Sequence, residues 1–190
     1  MGVEIFEEKR IEERFEKQTE DQRKFLLELQ KLKLPFILTG GWAAKIEKVF
    51  EDDYNPRDID IFSKIEDWEK WEEFLKSSGF KIGDTKDLSK RVCQRENVIL
   101  DIHLLEEKEK HYIEMALHGT FFYPKDGFEL QSWGEGNITV SRPELLYVLE
   151  KGGPEREGKQ KRLEAIEKRV DYKKLDSVSK DFKYVPNSGT

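Results

Sequence analysis

The sequence predicts an α/β (α+β) fold in which a mixed β-sheet is flanked by helices and followed by a small C-terminal helical part. Three observations lead to this prediction. Apolar residues recur at about the helical period among the many charges of residues 5–33. Polar and apolar residues alternate from Asp58 to Phe62, which is the period of a half-buried strand. Pro143 and Glu144 open a second helical region after several strand-like segments.

The first elements have clear sequence signals for where they begin and end. Pro35 ends the N-terminal helix, because proline cannot continue a helix. The apolar run at residues 36–39 predicts a short buried strand. Gly40-Gly41 then permits a tight turn, and residues 42–50 return to helical spacing. We therefore expect a strand, a glycine turn and a helix in succession.

The later segments alternate between the two periods in the same way. In order, we predict a strand at 58–62, a helix at 66–77, strands at 91–94 and 98–104, a mostly polar helix at 106–118, short strands at 120–123, 128–131 and 138–140, and helices at 141–151 and 155–170. We expect four parts: an N-terminal helical segment (1–34), a core (35–140), a C-terminal helical part (141–176) and a loose polar tail (177–190).

Composition limits the possible classes of protein. The single cysteine, Cys93, excludes an internal disulfide. No apolar run approaches the roughly 20 residues of a membrane span, and the N-terminus is charged from the start, so we expect a soluble cytoplasmic protein without a membrane partner. The net charge of −6 argues against a general nucleic-acid coat, although a local basic groove stays possible.

Three aspartates form the candidate centre of chemistry. Asp58 and Asp60 are two residues apart on a predicted strand, so their side chains point the same way. Like charges side by side on a sheet are unfavourable, and a divalent cation would offset that repulsion. Asp101 lies in an apolar run, where burying an unpaired charge would be costly. If the two strands are neighbours, the three carboxylates converge; otherwise Asp58 and Asp60 lie on a polar outer face and Asp101 on an exposed edge.

The chain resembles the nucleotidyltransferase superfamily with a DNA polymerase β-like fold. Three motifs in order carry the resemblance: the glycine turn 39–43, the segment 57–62 with its paired aspartates, and the strand segment 100–103 with the third. The chain looks most similar to minimal antibiotic adenylyltransferases of the lincosamide and aminoglycoside 2″ types, and to nucleotidyltransferases of toxin–antitoxin systems. The clear resemblance covers residues 36–104, with a weaker similarity at 138–169.

This resemblance implies roles for individual residues. Asp58, Asp60 and Asp101 would hold Mg²⁺ or Mn²⁺, and Asp101 would also be the base. Gly40 and Gly41 would contact the triphosphate of an NTP. Nucleotide contacts are also implied for Thr39 and for Lys159, near Lys151 and Arg156. An acidic residue that often follows the second-helix lysine is absent, because Gln160 stands there.

The implied activity is metal-dependent transfer of a nucleoside monophosphate from an NTP to a hydroxyl, with release of pyrophosphate. The acceptor stays open among a small molecule, a protein side chain and an RNA end. The alternative is a non-catalytic module of the same fold, for example a toxin–antitoxin component. A partner protein contacting the N-terminal helix is a third possibility. His103 shares the face of Asp101, and it fits a hydrogen-bonded sheet histidine better than a substrate contact.

Overall fold

A computed structural model describes residues 2–32, 34–51, 54–155 and 157–187, with side chains described from residue 16 onward. The helices are α1 Gly2–Lys31, α2 Gly40–Ile46, α3 Trp68–Ser77, α4 Pro143–Gly152, α5 Lys159–Glu167 and α6 Tyr172–Asp181. The strands are β1 Ile37–Thr39, β2 Ile59–Lys64, β3 Lys81–Ile82, β4 Lys90–Arg95, β5 Val98–Glu107, β6 His111–Ala116, β7 Gly119–Pro124, β8 Phe128–Trp133, β9 Gly136–Ser141 and β10 Lys183–Pro186. The predicted mixed fold is confirmed.

The strands form one mixed sheet. Its main order is β10-β7-β6-β5-β2-β1-β9-β8, with β4 paired to β5 and β3 paired to β4. The β2–β5 and β1–β9 pairs are parallel, and the other pairs are antiparallel. The long strand β5 therefore joins β2 and β4 at its beginning and β6 at its end. This topology places β2, which carries one predicted aspartate, directly beside β5, which carries another.

Alternation along the strands divides the interior into two apolar clusters. Ile59 and Ile61 of β2 are fully buried in the larger cluster, together with Leu26 and Leu29 of α1. Phe62 points to the other side of β2 and packs in a smaller cluster with residues of β5, β7 and the C-terminal helices. Burying these side chains is the main favourable term for the sheet. Since Asp60 and Phe62 are two residues apart, the aspartate lies on the face of the smaller cluster.

One predicted helix is wrong. Residues 106–118 are instead the end of β5, the strand β6 and a turn, and β6 pairs with β7 along its whole length. The charges of this segment suggested a solvated helix. Its aromatic and β-branched residues, Tyr112 and Ile113, have cross-strand partners in Tyr123 and Phe122, and this hairpin pairing overrides a weak local helix preference.

The C-terminal region also differs from the expectation. The predicted helix 155–170 is shorter and begins at Lys159, after Gly158 in the left-handed region at φ 72°. Within the segment expected to be loose, residues 177–181 continue α6 and residues 183–186 form β10, which pairs with β7. Val178 is buried against the smaller cluster, which explains why this segment is ordered. Among the described residues, no helix is long and apolar enough to cross a membrane.

Candidate active site

The three aspartates meet at the junction of β2 and β5. Asp60 is directly opposite Asp101 in the parallel β2–β5 pair, so both side chains lie on one face. Asp58 comes from the bend before β2. One carboxylate oxygen of each residue lies within 4.8 Å of those of the other two. The predicted convergence is confirmed, while the roles of the three residues stay predictions.

The glycine turn lies against this cluster. Gly40 adopts φ 61°, a conformation that L side chains rarely adopt, and it begins α2 immediately after β1. A Cβ atom at Gly40 would overlap the carboxylate of Asp60. Gly41 lies instead beside Tyr54 and Pro56 in the loop before Asp58. The backbone therefore approaches the aspartates closely only because residue 40 has no side chain, and the predicted position of the turn is confirmed.

Helix α1 fixes the loop that carries Asp58. The buried Gln22 side chain accepts a hydrogen bond from Trp42 Nε1 at 2.7 Å and donates one to the Arg57 carbonyl at 2.8 Å. Gln18 Nε2 donates to the same carbonyl at 2.7 Å. One glutamine thus connects the helix after the glycine turn to the residue before Asp58. Through these contacts, the N-terminal helix helps to position the loop before Asp58.

The negative charge of the three aspartates is only partly neutralised by neighbouring groups. Burial and the nearby Asp58 raise the pKa of Asp60 to about 7, against a partial opposing effect of His103. Burial and Asp101 also raise the pKa of Asp58. Asp101 Oδ1 is buried and has no hydrogen-bond partner among the described residues, whereas its Oδ2 pairs with Lys90 Nζ. Buried carboxylate oxygens without partners are costly, so this cluster is poised to bind a cation.

A buried network holds His103 beside the aspartates. His103 Nδ1 lies 2.7 Å from Glu114 Oε1, and Tyr123 donates its hydroxyl hydrogen to Glu114 Oε2 at 2.5 Å. Burial alone would lower the pKa of His103, but the hydrogen bond and charge of Glu114 raise it above its ordinary value. The ring also packs edge-on against Phe62. His103 is therefore a hydrogen-bonded sheet histidine, as predicted, and it faces the same side as Asp101.

The remaining predicted nucleotide contacts have other partners. The Thr39 hydroxyl is buried and accepts a hydrogen bond from Ser141 Oγ at 2.9 Å. Lys159 Nζ donates to the Gly153 carbonyl at 2.7 Å and pairs with Glu155 at 3.0 Å. Its hydrogen bonds thus lie in the C-terminal helical part and not at the aspartates. Arg156 lies outside the described residues.

Sequence reasoning found some of the surrounding residues only in part. From the sequence alone, Lys90, Arg91 and Arg95 could line a basic cleft near the site, with a solvated face as the default expectation for them. Lys90 reaches Asp101, but Arg91 lies over the Trp68 ring and Arg95 over the Phe80 ring. Strand alternation explains the split between Lys90 and Arg91. Glu114 was missed because its segment was predicted to be a polar helix. Gln22 was missed because its partners lie 20 and 35 residues away and its segment reads as polar surface.

Comparison with known families agrees with this geometry. A family model described as aminoglycoside-2''-adenylyltransferase matches residues 23–174, which is most of the chain. The chain belongs to the aminoglycoside-2''-adenylyltransferase family. The residues of this chain that match the family model include the glycine turn and all three aspartates. The resemblance to antibiotic adenylyltransferases is therefore confirmed, and with it a general assignment to nucleotidyl transfer.

Solved structures show the same fold. The lincomycin-bound lincosamide antibiotic adenylyltransferase LnuA matches with a TM-score of 0.66 and 20% identity, over 80% of this chain and 98% of that one. ANT(2'')-Ia in complex with adenylyl-2''-tobramycin matches with a TM-score of 0.61 and 14% identity, over 85% of this chain and 94% of that one. A search of curated protein sequences finds no significant match. The chain therefore has the same fold as these two solved structures.

Proposed function

We propose that this protein transfers the AMP group of ATP to a hydroxyl of a small, cationic, polyhydroxylated molecule, in a reaction that needs Mg²⁺ or Mn²⁺. The observation that carries the proposal is the convergence of Asp58, Asp60 and Asp101 beside the Gly40 turn. Family membership supports the reaction type. The acceptor class is suggested by the matched structures, which hold lincomycin and an adenylylated tobramycin.

The residues at the cluster fit a divalent metal ion. Three carboxylates supply the oxygen ligands that Mg²⁺ prefers, and the unpaired Oδ1 of Asp101 is available to a cation. Asp58, Asp60 and Asp101 would hold the ion or ions. A metal bound there would neutralise charge on the phosphates and favour attack at the α-phosphorus. The raised pKa of Asp60 supports this assignment, because an opposite charge would restore the ionised form.

The chain's own groups would then orient the reactants. Gly40, next to Asp60, and Gly41 begin α2, and their backbone N–H groups are the proposed contacts of the triphosphate. Thr39 and Lys159 are further proposed nucleotide contacts. For Lys159 this role requires its Nζ to exchange Gly153 and Glu155 for a phosphate oxygen. Holding both reactants in place would supply much of the rate enhancement.

Asp101 is the proposed base. The acceptor oxygen forms a bond to the α-phosphorus, and its proton passes to a carboxylate oxygen of Asp101. The bond between the α-phosphorus and the bridging oxygen breaks, and pyrophosphate leaves with the electron pair. Asp101 suits this role because it is buried on the same face as Asp60.

Charge favours a small cationic acceptor over RNA. The chain has a net charge of −6, and an acidic protein attracts a polycationic molecule and repels a polyanion. Of the three basic residues of β4, Lys90 is paired with Asp101, whereas Arg91 and Arg95 lie over aromatic rings.

Label transfer tests the proposal. The protein is incubated with Mg²⁺, each of four α-labelled NTPs in turn, and one acceptor: an aminoglycoside, lincomycin or an RNA oligonucleotide. We expect label from ATP on a small-molecule acceptor with equal release of pyrophosphate. Label on RNA alone would overturn the acceptor class. Binding of ATP without transfer to any acceptor would favour the non-catalytic module, and absence of both binding and transfer would overturn the function.

A further inference from the structure

Lys90 has an unusual position for a surface-strand lysine. It begins β4 directly opposite His103, and Val92 on the same strand is opposite Asp101. Its Nζ forms an ion pair with Asp101 Oδ2, and its side chain is 31% exposed while that of Asp101 is 11% exposed. The stem thus reaches from a partly open strand end into the cluster. The neighbouring Arg91, on the opposite face of β4, takes no part in this contact.

The carboxylates around Lys90 carry more negative charge than this one lysine can neutralise. Three carboxylates lie within 4.8 Å of one another, and Lys90 forms the ion pair that the described residues make with them. Asp58 and Asp60 also act electrostatically on Lys90, which shows that its charge serves the whole cluster. Since Asp101 Oδ1 has no partner, one lysine satisfies only part of the negative charge. The pair is therefore a partial neutralisation of a site built for more positive charge.

A metal ion and Lys90 would compete for the same carboxylate. A cation held by Asp101 reduces the attraction between that carboxylate and the ammonium, and it adds repulsion between two positive groups. A lysine ammonium is a compact charge on a flexible stem, so it can move between partners. An NTP brings several phosphate charges to the same face, and lysine is a common ligand of phosphates.

We propose that Lys90 is an exchangeable counter-ion of the active site: it neutralises Asp101 when the metal is absent and moves to the triphosphate when metal and NTP bind. This inference rests on the proposed function. It assigns to Lys90 both a competitive role against the metal and a binding role toward the nucleotide. These two roles predict shifts of opposite sign in one variant.

Binding measurements on Lys90→Met test the two roles separately. Mn²⁺ affinity without nucleotide is measured by electron paramagnetic resonance, and affinity for a non-hydrolysable ATP analogue with Mn²⁺ is measured by calorimetry. We expect Lys90→Met to bind Mn²⁺ roughly two- to fivefold more tightly, because a competing cation is gone. We expect it to bind the ATP analogue roughly tenfold more weakly. Lys81→Met on the exposed neighbouring strand β3 is the matched control and should change neither affinity.

A second comparison covers the case in which Lys90→Met folds poorly. Lys90→Gln keeps a polar side chain, and it is measured in the wild-type and Asp101→Asn backgrounds. With Asp101→Asn, loss of Lys90 should tighten Mn²⁺ binding less than it does in wild type, since the direct ion pair is already broken and only the longer-range effect on Asp58 and Asp60 is left. Unchanged or weaker Mn²⁺ binding in the Lys90 variants, or unchanged binding of the analogue, overturns the inference while leaving the proposed function intact. If the wild-type protein binds neither ligand, both are overturned.

Discussion

The two ends of the proposed nucleotide site differ in how well their charges are satisfied. At the aspartate cluster, Asp60 has a pKa raised to about 7 and Asp101 keeps a buried oxygen without a partner. At the C-terminal helices, Lys159 is buried but makes two hydrogen bonds to nearby residues, the Gly153 carbonyl six positions away and Glu155 four positions away. A satisfied buried charge stabilises its own surroundings, whereas an unsatisfied cluster indicates a binding site. We therefore propose that the chemistry takes place at the aspartates, and we expect smaller effects at Lys159.

Asp60→Asn, in the aspartate cluster, should reduce activity more than any other substitution. Asn keeps the shape of the side chain but loses the charge that holds the metal, so we expect AMP transfer to fall by about 10²–10³ or more. Without metal, the melting temperature should stay equal or rise, because one of three repelling charges is removed. The matched variant Asp176→Asn removes a carboxylate from the exposed face of α6 and should keep full activity. Equal transfer by wild type and Asp60→Asn would exclude a catalytic role.

Gly40→Ala should separate backbone strain from disruption of the site. Alanine at φ 61° costs on the order of 1 kcal/mol, and its Cβ would also displace the Asp60 carboxylate. We expect activity to fall about 10- to 100-fold, since small misplacements of catalytic groups are costly. Gly79→Ala has the same type of strain at φ 80° but open space around the new Cβ. Urea unfolding should show similar losses of stability, and only Gly40→Ala should lose activity per folded molecule.

The raised pKa of Asp60 predicts how pH affects the metal-free protein. Its pKa is 3.8 in the unfolded chain and about 7 in the fold, where burial, Asp58 and Asp101 raise it and His103 and Lys90 lower it. The folded state therefore binds more protons between these values, and this group stabilises the protein less as pH rises from about 4 through 7. The melting temperature of Asp60→Asn should therefore exceed that of wild type by less at pH 5 than at pH 8, where the difference should reach a few degrees.

A half-buried acid elsewhere in the chain makes that pH prediction specific to the aspartate cluster. Burial also raises the pKa of Glu47 to about 7, away from the aspartates. Saturating Mn²⁺ at pH 8 should raise the melting temperatures of wild type and Glu47→Gln equally. It should raise that of Asp60→Asn by less, because Asp60 is a proposed metal ligand and Glu47 is not. If the melting difference between wild type and Asp60→Asn is the same at pH 5 and pH 8, the electrostatic account of the cluster is wrong.

Lys159→Met should give the smallest effect. If Lys159 exchanges its local partners for the triphosphate, KM for ATP rises about threefold with kcat unchanged, because only binding common to ground and transition states is lost. Lys161→Met, on the same helix, is the control. An unchanged KM together with a lower melting temperature would instead show that Lys159 only stabilises the C-terminal helices.

Features that depend on short local patterns could be predicted from the sequence, whereas features that depend on partners elsewhere in the chain could not. Asp58 and Asp60 share a face because of strand periodicity, and Asp101 is conspicuous within an apolar run, so short patterns were sufficient for them. The strand β6 was predicted as a helix, because its partner β7 lies further along the chain and supplies the pairing that decides its conformation. Glu114 was missed with it. The contact of Gln22 with the Arg57 carbonyl spans 35 residues, and no local pattern indicates it.

The central claim is that Asp58, Asp60 and Asp101 hold a metal ion beside a nucleotide on the face of β2 and β5. A crystal structure with Mn²⁺ and a non-hydrolysable ATP analogue, with data collected for the anomalous signal of manganese, measures this directly. The account predicts anomalous density within about 2–2.5 Å of carboxylate oxygens of these aspartates, with the triphosphate next to Gly40. Ordered nucleotide with no anomalous density at the aspartates, or manganese bound elsewhere in the chain, would contradict it.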